Sequence, residues 1–272
     1  MQTKIIRGGR GNSWKQLRLK KVWQYRSLIY AFTMRDIKSQ YAQTKLGIVW
    51  SLIQAITAAL VINLFFGILI KMNTGSIPYI LYAFPGMMSW YFFSYIVNQA
   101  GTSLVQSQHI IKKVYFPKLI LPLYKSLVGM VEHLIWLAVF FGMALLMAFP
   151  LQITLLALPI CILTNIIAGL SVAVWLSALT VRYRDASHII PFVIGFGVFV
   201  TPVFYKAAMI PEAYHFLLYW NPMAGVIESY RWCLLGMPFD IHYIYGFIPM
   251  VVLLVTGLFY FRKVEGIIAD VI

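Results

Sequence analysis

The chain has 272 residues, of which 61% are apolar and 11% are charged. Soluble domains contain about 45–50% apolar and about 25% charged residues, so this composition, with a mean hydropathy of +0.80, excludes a soluble enzyme, a disordered tail and a disulfide-rich scaffold. The formal net charge is +14, but 11 of the 22 Lys and Arg residues lie among the first 45 residues, which favours anionic lipid headgroups over nucleic acid as their partner. The sequence therefore predicts an integral membrane protein.

Residues 1–45 predict a cytoplasmic segment that carries one amphipathic helix. Their apolar residues are interspersed with basic ones and never form the continuous hydrophobic stretch of a signal peptide. Between Trp14 and Phe32, apolar residues recur every three or four positions while basic residues fill the other face. This pattern is typical of a helix that lies in the membrane interface. An ordinary amphipathic helix packed on a soluble domain is the alternative.

Residues 46–272 predict an all-α transmembrane domain. A spanning helix needs about 20 predominantly apolar residues. Six stretches meet this requirement, at residues 46–70, 79–102, 119–148, 151–180, 186–206 and 243–261. The third and fourth are longer than a span requires, so we expect them to tilt or to extend beyond the hydrocarbon.

The distribution of basic residues between the predicted loops orients these spans. Eighteen Lys and Arg residues fall on the side of the N-terminus, whereas Lys71, Lys206 and Arg231 fall on the opposite side and Lys125 lies near a helix end. Because basic residues concentrate on the cytoplasmic side of membrane proteins, the sequence predicts six spans with both termini in the cytoplasm.

The stretch 207–240, between the fifth and sixth spans, is rich in Pro, Trp and Tyr and too interrupted to cross the bilayer once. We expect short re-entrant helices that dip into the outer leaflet. Irregular backbone at that depth requires protein or a water-filled cavity around it, which predicts a nearby pathway. A loop that rests on the headgroups is the alternative.

The sequence contains none of the common catalytic or nucleotide-binding motifs. It has no phosphate-binding loop, no zinc-protease motif and no clustered carboxylates for a metal, so any ATP must be hydrolysed by another subunit. Cys161 and Cys233 have neither metal-ligand spacing nor a pairing signature, and we interpret them as packing residues. Glu132 lies in the third span, where it predicts either proton coupling or a hydrogen bond between helices.

A series of short motifs resembles the ABC-2 permeases that export polysaccharides, and the likeness covers the chain almost from end to end. The motifs are, in order, Arg35-Asp36-Ile37-Lys38 with Tyr41, Thr44-Lys45-Leu46-Gly47 with Trp50, Ile77-Pro78-Tyr79, Pro85-Gly86, Trp90-Tyr91-Phe92-Phe93-Ser94, Lys113-Val114-Tyr115-Phe116-Pro117, Leu121-Pro122, Val181-Arg182-Tyr183-Arg184-Asp185, Thr201-Pro202-Val203-Phe204-Tyr205, Asn221-Pro222, Arg231, Glu265 and Ala269-Asp270. Gln40 and Ala55 depart from the family pattern, in which Arg and Pro are frequent at these positions.

The resemblance implies a transport subunit of the bacterial inner (cytoplasmic) membrane without catalytic residues of its own. It implies a homodimer that binds two copies of a separate ABC ATPase subunit, on which ATP and Mg are bound. It also implies a lipid-linked polysaccharide substrate of the O-antigen or teichoic-acid type, with capsular polysaccharide exported by a sister branch.

The resemblance further assigns roles to residues. The interface helix and a coupling segment contact the ATPase, and the coupling segment contains Gln106, His109, Lys112, Lys113, Tyr115 and Phe116. Leu46 and Gly47 guide the lipid-linked diphosphate at the cytoplasmic entrance. The helices of 207–240 form an outer gate that includes Trp220, Asn221, Glu228 and Arg231.

The chemistry of the substrate points to two further sets of residues. Arg35, Lys38 and Lys45 precede the first span and are suited to attract a diphosphate, although simple membrane anchoring explains the same charges. Aromatic rings stack on sugars, so we expect the second span to line a channel, although lipid-facing or core positions are the alternative for each ring. The lining candidates are Trp90, Tyr91, Phe92, Phe93, Tyr95 and Asn98.

Two other functions are compatible with a multi-span chain. A membrane transferase acting on polyprenyl-linked sugars would need a catalytic acid or a metal cluster, and a proton-coupled carrier would show two similar halves. Neither feature is visible in the sequence. A neighbouring reading frame that encodes an ATPase would favour export over both alternatives.

Overall fold

The computed structural model describes residues 19–42, 46–183 and 185–266, and every regular element in these ranges is helical. Twelve α-helices account for most of the described chain. They are α1 Leu19–Gln24, α2 Arg26–Ala42, α3 Gly47–Ile62, α4 Tyr79–Gly101, α5 Ser103–Gln106, α6 Gln108–Lys113, α7 Ile120–Leu146, α8 Leu158–Arg182, α9 Ala186–Val200, α10 His215–Tyr219, α11 Pro222–Leu235 and α12 Phe247–Glu265. A π-helix, Asn63–Leu69, extends α3, and the 3₁₀ segments Ile153–Ala157 and Ile241–Gly246 lead into α8 and α12.

Five helices of the described chain are long and apolar enough to cross a membrane. They are Gly47–Leu69, Tyr79–Gly101, Ile120–Leu146, Ile153–Arg182 and Ile241–Glu265, and they coincide with five of the six predicted stretches. The remaining stretch, 186–206, forms only the 15-residue α9. At 1.5 Å per residue α9 is about 22 Å long, which is less than the roughly 30 Å of a hydrocarbon core.

The helix α9 ends early because of the sequence that follows it. Thr201 precedes Pro202 and has extended backbone angles, φ −97° and ψ 141°. The ring of a proline disfavours the helical conformation of the preceding residue, so the helix cannot continue through this pair. Residues 201–206, which we name the connector, are non-helical and lead into the 3₁₀ turns Ala207–Met209 and Glu212–Tyr214.

The helix α4 occupies the centre of the fold and packs against α3, α7, α8, α9 and α11. Two glycines permit its closest contacts. A Cβ atom on Gly129 of α7 would lie 2.3 Å from the ring of Tyr95, and one on Gly169 of α8 would lie 2.8 Å from the side chain of Ile96. The backbones of α7 and α8 therefore approach α4 more closely than any larger residue would allow.

Replacing Gly129 by Ala is expected to destabilise the fold, because overpacking a tight contact costs about 1–3 kcal/mol. Gly142 lies in the same helix, and a Cβ atom added there would have no neighbour within 4 Å, so Gly142→Ala is the matched control. The control keeps the gain in helix propensity of about 1 kcal/mol without the clash. Thermal unfolding of the two purified variants, followed by tryptophan fluorescence, checks this prediction, and equal midpoints would contradict it.

The amphipathic segment differs from its prediction as one helix over residues 14–32. Residues 14–18 lie outside the described residues, and a turn at Tyr25 separates α1 from α2. The apolar face does not lie free for contact with lipid, because Val22 is buried and Tyr25, Leu28 and Phe32 pack against a cluster that includes Tyr124 of α7. The apolar face, which the sequence pattern predicted to contact the membrane, therefore packs against the helical bundle.

Most basic residues of the described chain lie at one end of the bundle. Three contacts define this end: Lys125 Nζ lies 2.9 Å from Asp36 Oδ2, the backbone N–H of Lys118 donates to Glu265 Oε1 (3.0 Å), and Thr180 Oγ1 donates to the Gly101 carbonyl (3.0 Å). We name it the basic end; it comprises α1, α2, residues 101–120 and the C-terminal ends of α8 and α12. Residues 70–79, 147–157 and 200–246 form the opposite end.

Candidate functional site

The predicted coupling segment lies at the basic end and separates into exposed and buried members. Gln106, His109, Lys112, Lys113 and Tyr115 are exposed, and Tyr115 keeps 78% of its surface accessible. Phe116 is buried and makes an edge contact with Phe32 of α2, with ring centroids 5.9 Å apart. Tyr115 therefore lies exposed at the surface, while Phe116 attaches the segment to α2.

The predicted entrance residues lie beside the same end. Arg35 and Lys38 are exposed on α2, and Leu46 is exposed immediately before α3. Gly47 begins α3 with φ +41°, a left-handed conformation that favours glycine. Lys45 lies outside the described residues.

Asp36 connects α2 to Lys125 of α7 and also binds Arg35 of its own helix. Its carboxylate accepts hydrogen bonds from Lys125 Nζ (2.9 Å) and from Arg35 (2.8 Å). Burial raises the pKa of Asp36, but the hydrogen bonds and charges of Lys125 and Arg35 outweigh burial and lower the pKa below its usual value. Asp36 is therefore ionised at neutral pH and compensates part of the charge of Arg35.

The six predicted lining residues of α4 do not share one face. Tyr91, Phe92 and Tyr95 point towards α7, where Tyr91 contacts Trp136 (centroids 4.6 Å apart), Phe92 stacks on His133 (4.5 Å) and Tyr95 meets Gly129. Asn98 donates to the Ser94 carbonyl (2.9 Å), and its side-chain oxygen has no hydrogen-bond partner among the described residues.

Trp90 and Phe93 instead line a groove of about 530 Å³ between α4, α8, α9, α11 and α12. A Cβ atom on Gly197 of α9 would lie 2.9 Å from the Trp90 ring, so this glycine sets the approach of α9. Thr201 and Asn221 lie at the end of the groove nearest the connector. The rest of the lining is almost entirely apolar.

The connector is held by hydrogen bonds from side chains of α4, of α11 and of Asn221, which precedes α11. Tyr79 Oη donates to the Phe204 carbonyl (2.8 Å) and Arg231 Nη2 donates to the Val203 carbonyl (2.8 Å). Asn221 Nδ2 donates to Thr201 Oγ1 (3.0 Å), while the Asn221 side-chain oxygen caps α11 by accepting from the Met223 N–H. Protein side chains therefore satisfy two carbonyls and one hydroxyl of this non-helical segment.

Two of the four predicted gate residues, Asn221 and Arg231, bind the connector directly, and a third, Glu228, binds Arg231. Asn221 caps the start of α11, whereas Glu228 and Arg231 lie within it, and Arg231 is fully buried with Nη1 2.7 Å from Glu228 Oε1. Trp220, the fourth, is 52% exposed. Arg231 is consequently an interior residue, and not the loop charge that the topology count assumed.

Several polar contacts between helices were not foreseen from the sequence. Tyr230 of α11 hydrogen-bonds His133 of α7 (3.0 Å), and Asn165 of α8 donates to the Ser89 carbonyl of α4 (3.1 Å). The available signal was a polar residue inside an apolar stretch, which requires a partner in a neighbouring helix. Glu132 makes no hydrogen bond or ion pair within the described part of the chain.

The two cysteines also contact neighbouring elements. Cys161 Sγ of α8 donates to the Ser229 carbonyl of α11 (3.6 Å), and Cys233 Sγ of α11 donates to the Thr154 carbonyl (3.3 Å). Both thiols are free and buried, which agrees with their interpretation as packing residues. No group of three metal-ligating side chains occurs within residues 19–42, 46–183 and 185–266.

Membrane-length helices around a central α4, with a helix interrupted at a buried polar cluster, define a multi-pass helical membrane protein. Residues 27–235 match the family described as ABC-2 type transporter. The chain therefore belongs to the ABC-2 type transporter family, which confirms the resemblance of its motifs.

Relatives of the chain are named as export proteins. It is 26% identical over 217 residues, 78% of this chain and 82% of the relative, to an O-antigen export system permease protein RfbA from Myxococcus xanthus. It is 24% identical over 247 residues, 90% of this chain and 95% of the relative, to an RfbA permease from Klebsiella pneumoniae. A polysialic acid transport protein KpsM from Escherichia coli is 21% identical over 209 residues, 75% of this chain and 79% of that protein.

Proposed function

We propose that the chain is the membrane-spanning permease subunit of an ATP-driven exporter of lipid-linked polysaccharide in the bacterial cytoplasmic membrane. The observation that carries this proposal is the alignment with O-antigen export permeases over as much as 90% of this chain. O antigen is the first candidate for the substrate because more than one of the relatives carries that name. Teichoic acid and capsular polysaccharide are the alternative substrates of the same kind of exporter.

The proposed energy source is a separate ATPase subunit. The sequence has no phosphate-binding loop, so ATP and Mg belong on that partner, and two copies of it would serve a homodimer of this chain. The basic end supports the assignment of the docking surface because it exposes Tyr115 beside Lys112 and Lys113. We assign this end, with both termini, to the cytoplasm on the concentration of basic residues there.

The proposed topology has six crossings, the fifth of which combines α9 with the connector. The 15 residues of α9 leave part of the bilayer uncrossed. The connector supports a complete crossing because it lies beside Tyr79, Tyr82 and Gly86, within the first eight residues of α4. On this topology α10 and α11 are the re-entrant helices, and Asn221, Glu228 and Arg231 lie at the outer end of the pathway.

The proposed substrate path begins at the basic end. Arg35, Lys38 and Lys45 would attract the diphosphate group of a lipid-linked substrate, and Leu46 and Gly47 would guide it towards the bundle. The exposed side of α4, where Tyr91 is 50% accessible, is the candidate surface for the sugar chain.

Deleting the gene in its own bacterium tests the proposed function. We expect loss of the surface polysaccharide together with accumulation of the completed lipid-linked polymer inside the cell, because synthesis continues while export stops. Re-expression of the chain should restore the surface polymer. A shortened or chemically altered polymer would instead support a transferase, and export that continues after ATP depletion but stops with an uncoupler would support a proton-coupled carrier.

The purified chain alone is expected to hydrolyse no ATP, since it lacks a phosphate-binding loop. Hydrolysis should begin only when the ATPase subunit is added. Phosphate release measured for the chain, for the ATPase subunit and for their complex checks this prediction. A variant of the ATPase subunit without its phosphate-binding lysine controls for contaminants, and turnover by the isolated chain would contradict the assignment.

A further inference from the structure

Arg231 is the largest side chain of the described residues that is fully buried. A guanidinium group remains charged in proteins, and burying it without compensation is costly. A buried ionisable residue within a membrane protein is by default a functional candidate whose partners identify its role.

Each side of the Arg231 guanidinium contacts a different element of the fold. Nη1 lies 2.7 Å from Glu228 Oε1 on the preceding turn of α11, and Nη2 donates to the Val203 carbonyl of the connector (2.8 Å). The guanidinium carbon lies 4.1 Å from the ring centroid of Tyr82 on α4. Because the donors of a guanidinium have fixed relative directions, one side chain sets the mutual position of α4, α11 and the connector.

Two further features of α4 serve the same contact. A Cβ atom on Gly86 would lie 2.5 Å from the Val203 carbonyl oxygen, so only glycine allows the connector to lie this close. Tyr79 and Tyr82 donate to the next two carbonyls, those of Phe204 (2.8 Å) and Tyr205 (3.4 Å). Three successive carbonyls of the connector therefore bind side chains of α4 and α11.

We infer that Arg231 is a positioning residue of the transporter: with Glu228 as its counter-ion, it holds the connector against α4, so that α4, the connector and α11 move as one unit. The inference rests on the proposed function for its consequence in transport. In the transporter, the unit of α4, connector and α11 fixes the outer end of α9. The outer end of the pathway then opens by displacement of this whole unit.

A cysteine reporter next to the connector tests the positioning role independently of transport. Lys206→Cys places a thiol at the end of the connector, and the native Cys161 and Cys233 are buried, so the unmodified chain gives the background rate of maleimide labelling. In the purified full chain, Arg231→Lys keeps a cation beside Glu228 but cannot hold both contacts. We expect labelling at residue 206 to become about tenfold faster, as for loss of a hydrogen bond to a charged group.

Glu228→Gln is the second variant, because it removes the counter-ion with little change of shape and should also accelerate labelling. Glu265→Gln is the matched control, since Arg262 and Glu265 form the same type of pair, three residues apart, at the basic end. Labelling at residue 206 should be unchanged in this control. Wild-type labelling rates in both Arg231→Lys and Glu228→Gln would overturn the inference.

A transport measurement separates the positioning role from the proposed function. In the complex with its ATPase subunit, the Arg231→Lys variant should keep the basal rate of ATP hydrolysis, while its rate of polysaccharide export should fall about tenfold. Equal losses of basal hydrolysis and export would indicate a purely structural role and overturn the inference. If the wild-type chain exports no polysaccharide, the proposed function fails, while the labelling result still decides the position of the connector.

Discussion

Replacing Tyr115 by Ala is expected to lower recovery of the ATPase subunit with the permease at least about tenfold. Tyr115 is 78% exposed, and the adjacent Val114 is 56% exposed, although both lie beside a buried anchor at Phe116. Exposed aromatic residues of this kind often act as interface hot spots worth about 2 kcal/mol or more. Truncating the ring removes that contact without changing the spans.

Co-purification of a tagged ATPase subunit with the variant provides the measurement, and the amount of inserted permease normalises it. Tyr214→Ala is the matched control because Tyr214 is 57% exposed at the opposite end of the fold. Phe116→Ala is unsuitable for this purpose, since Phe116 is buried and its loss would cost about 3–5 kcal/mol of core packing. Equal recovery with Tyr115→Ala and Tyr214→Ala would contradict the docking assignment.

The sequence predicted the helical class, and five of its six predicted spans form membrane-length helices, because a long apolar stretch has few other structures available to it. The predicted stretch 186–206 exceeds α9 by the six residues of the connector. Apolar composition continues past Val200, but the Thr201-Pro202 pair stops the helix, and an average over the stretch does not detect a break at one residue.

The positions of individual site residues were less predictable. Trp90, Tyr91, Phe92 and Phe93 are consecutive, and a helix with 3.6 residues per turn distributes four consecutive side chains around its whole circumference. Contacts such as Tyr230 to His133, 97 residues apart, depend on how the helices pack. The Glu228–Arg231 pair was visible as a spacing, but the same spacing at Arg262 and Glu265 gives a partly exposed pair, so spacing alone did not predict burial.

The amphipathic segment shows the same limit. Its periodicity correctly identified the face that contains Val22, Tyr25 and Phe32, since these residues share one apolar cluster. Periodicity does not specify what covers an apolar face, and in this chain α7 and the coupling segment cover it. The exposed face carries the basic side chains, which brings Arg35 and Lys38 to the surface beside α3.

Neutralising Arg35, Lys38 and Lys45 together is expected to raise the concentration of lipid-linked substrate needed for half-maximal stimulation of ATP hydrolysis. A basic side chain near an anionic surface contributes about 1 kcal/mol, so three of them correspond to roughly a hundredfold in affinity. Basal hydrolysis should persist, because the ATPase-docking residues are unchanged. The α2–α7 contact should also persist, since Lys125, whose Nζ lies 2.9 Å from Asp36 Oδ2, is unchanged in this variant.

Titration of the reconstituted complex with lipid-linked substrate measures the basal and the stimulated rates of this triple variant. Neutralising the exposed Arg182 and Lys263 is the control and should leave the titration unchanged, because these residues lie at the same basic end but outside the entrance residues and the segments assigned to the ATPase. A recognition defect weakens only the stimulated rate, whereas a defect in folding or insertion lowers both rates. If basal and stimulated rates fall together, or if the control shifts the titration equally, these charges only anchor the protein to the membrane.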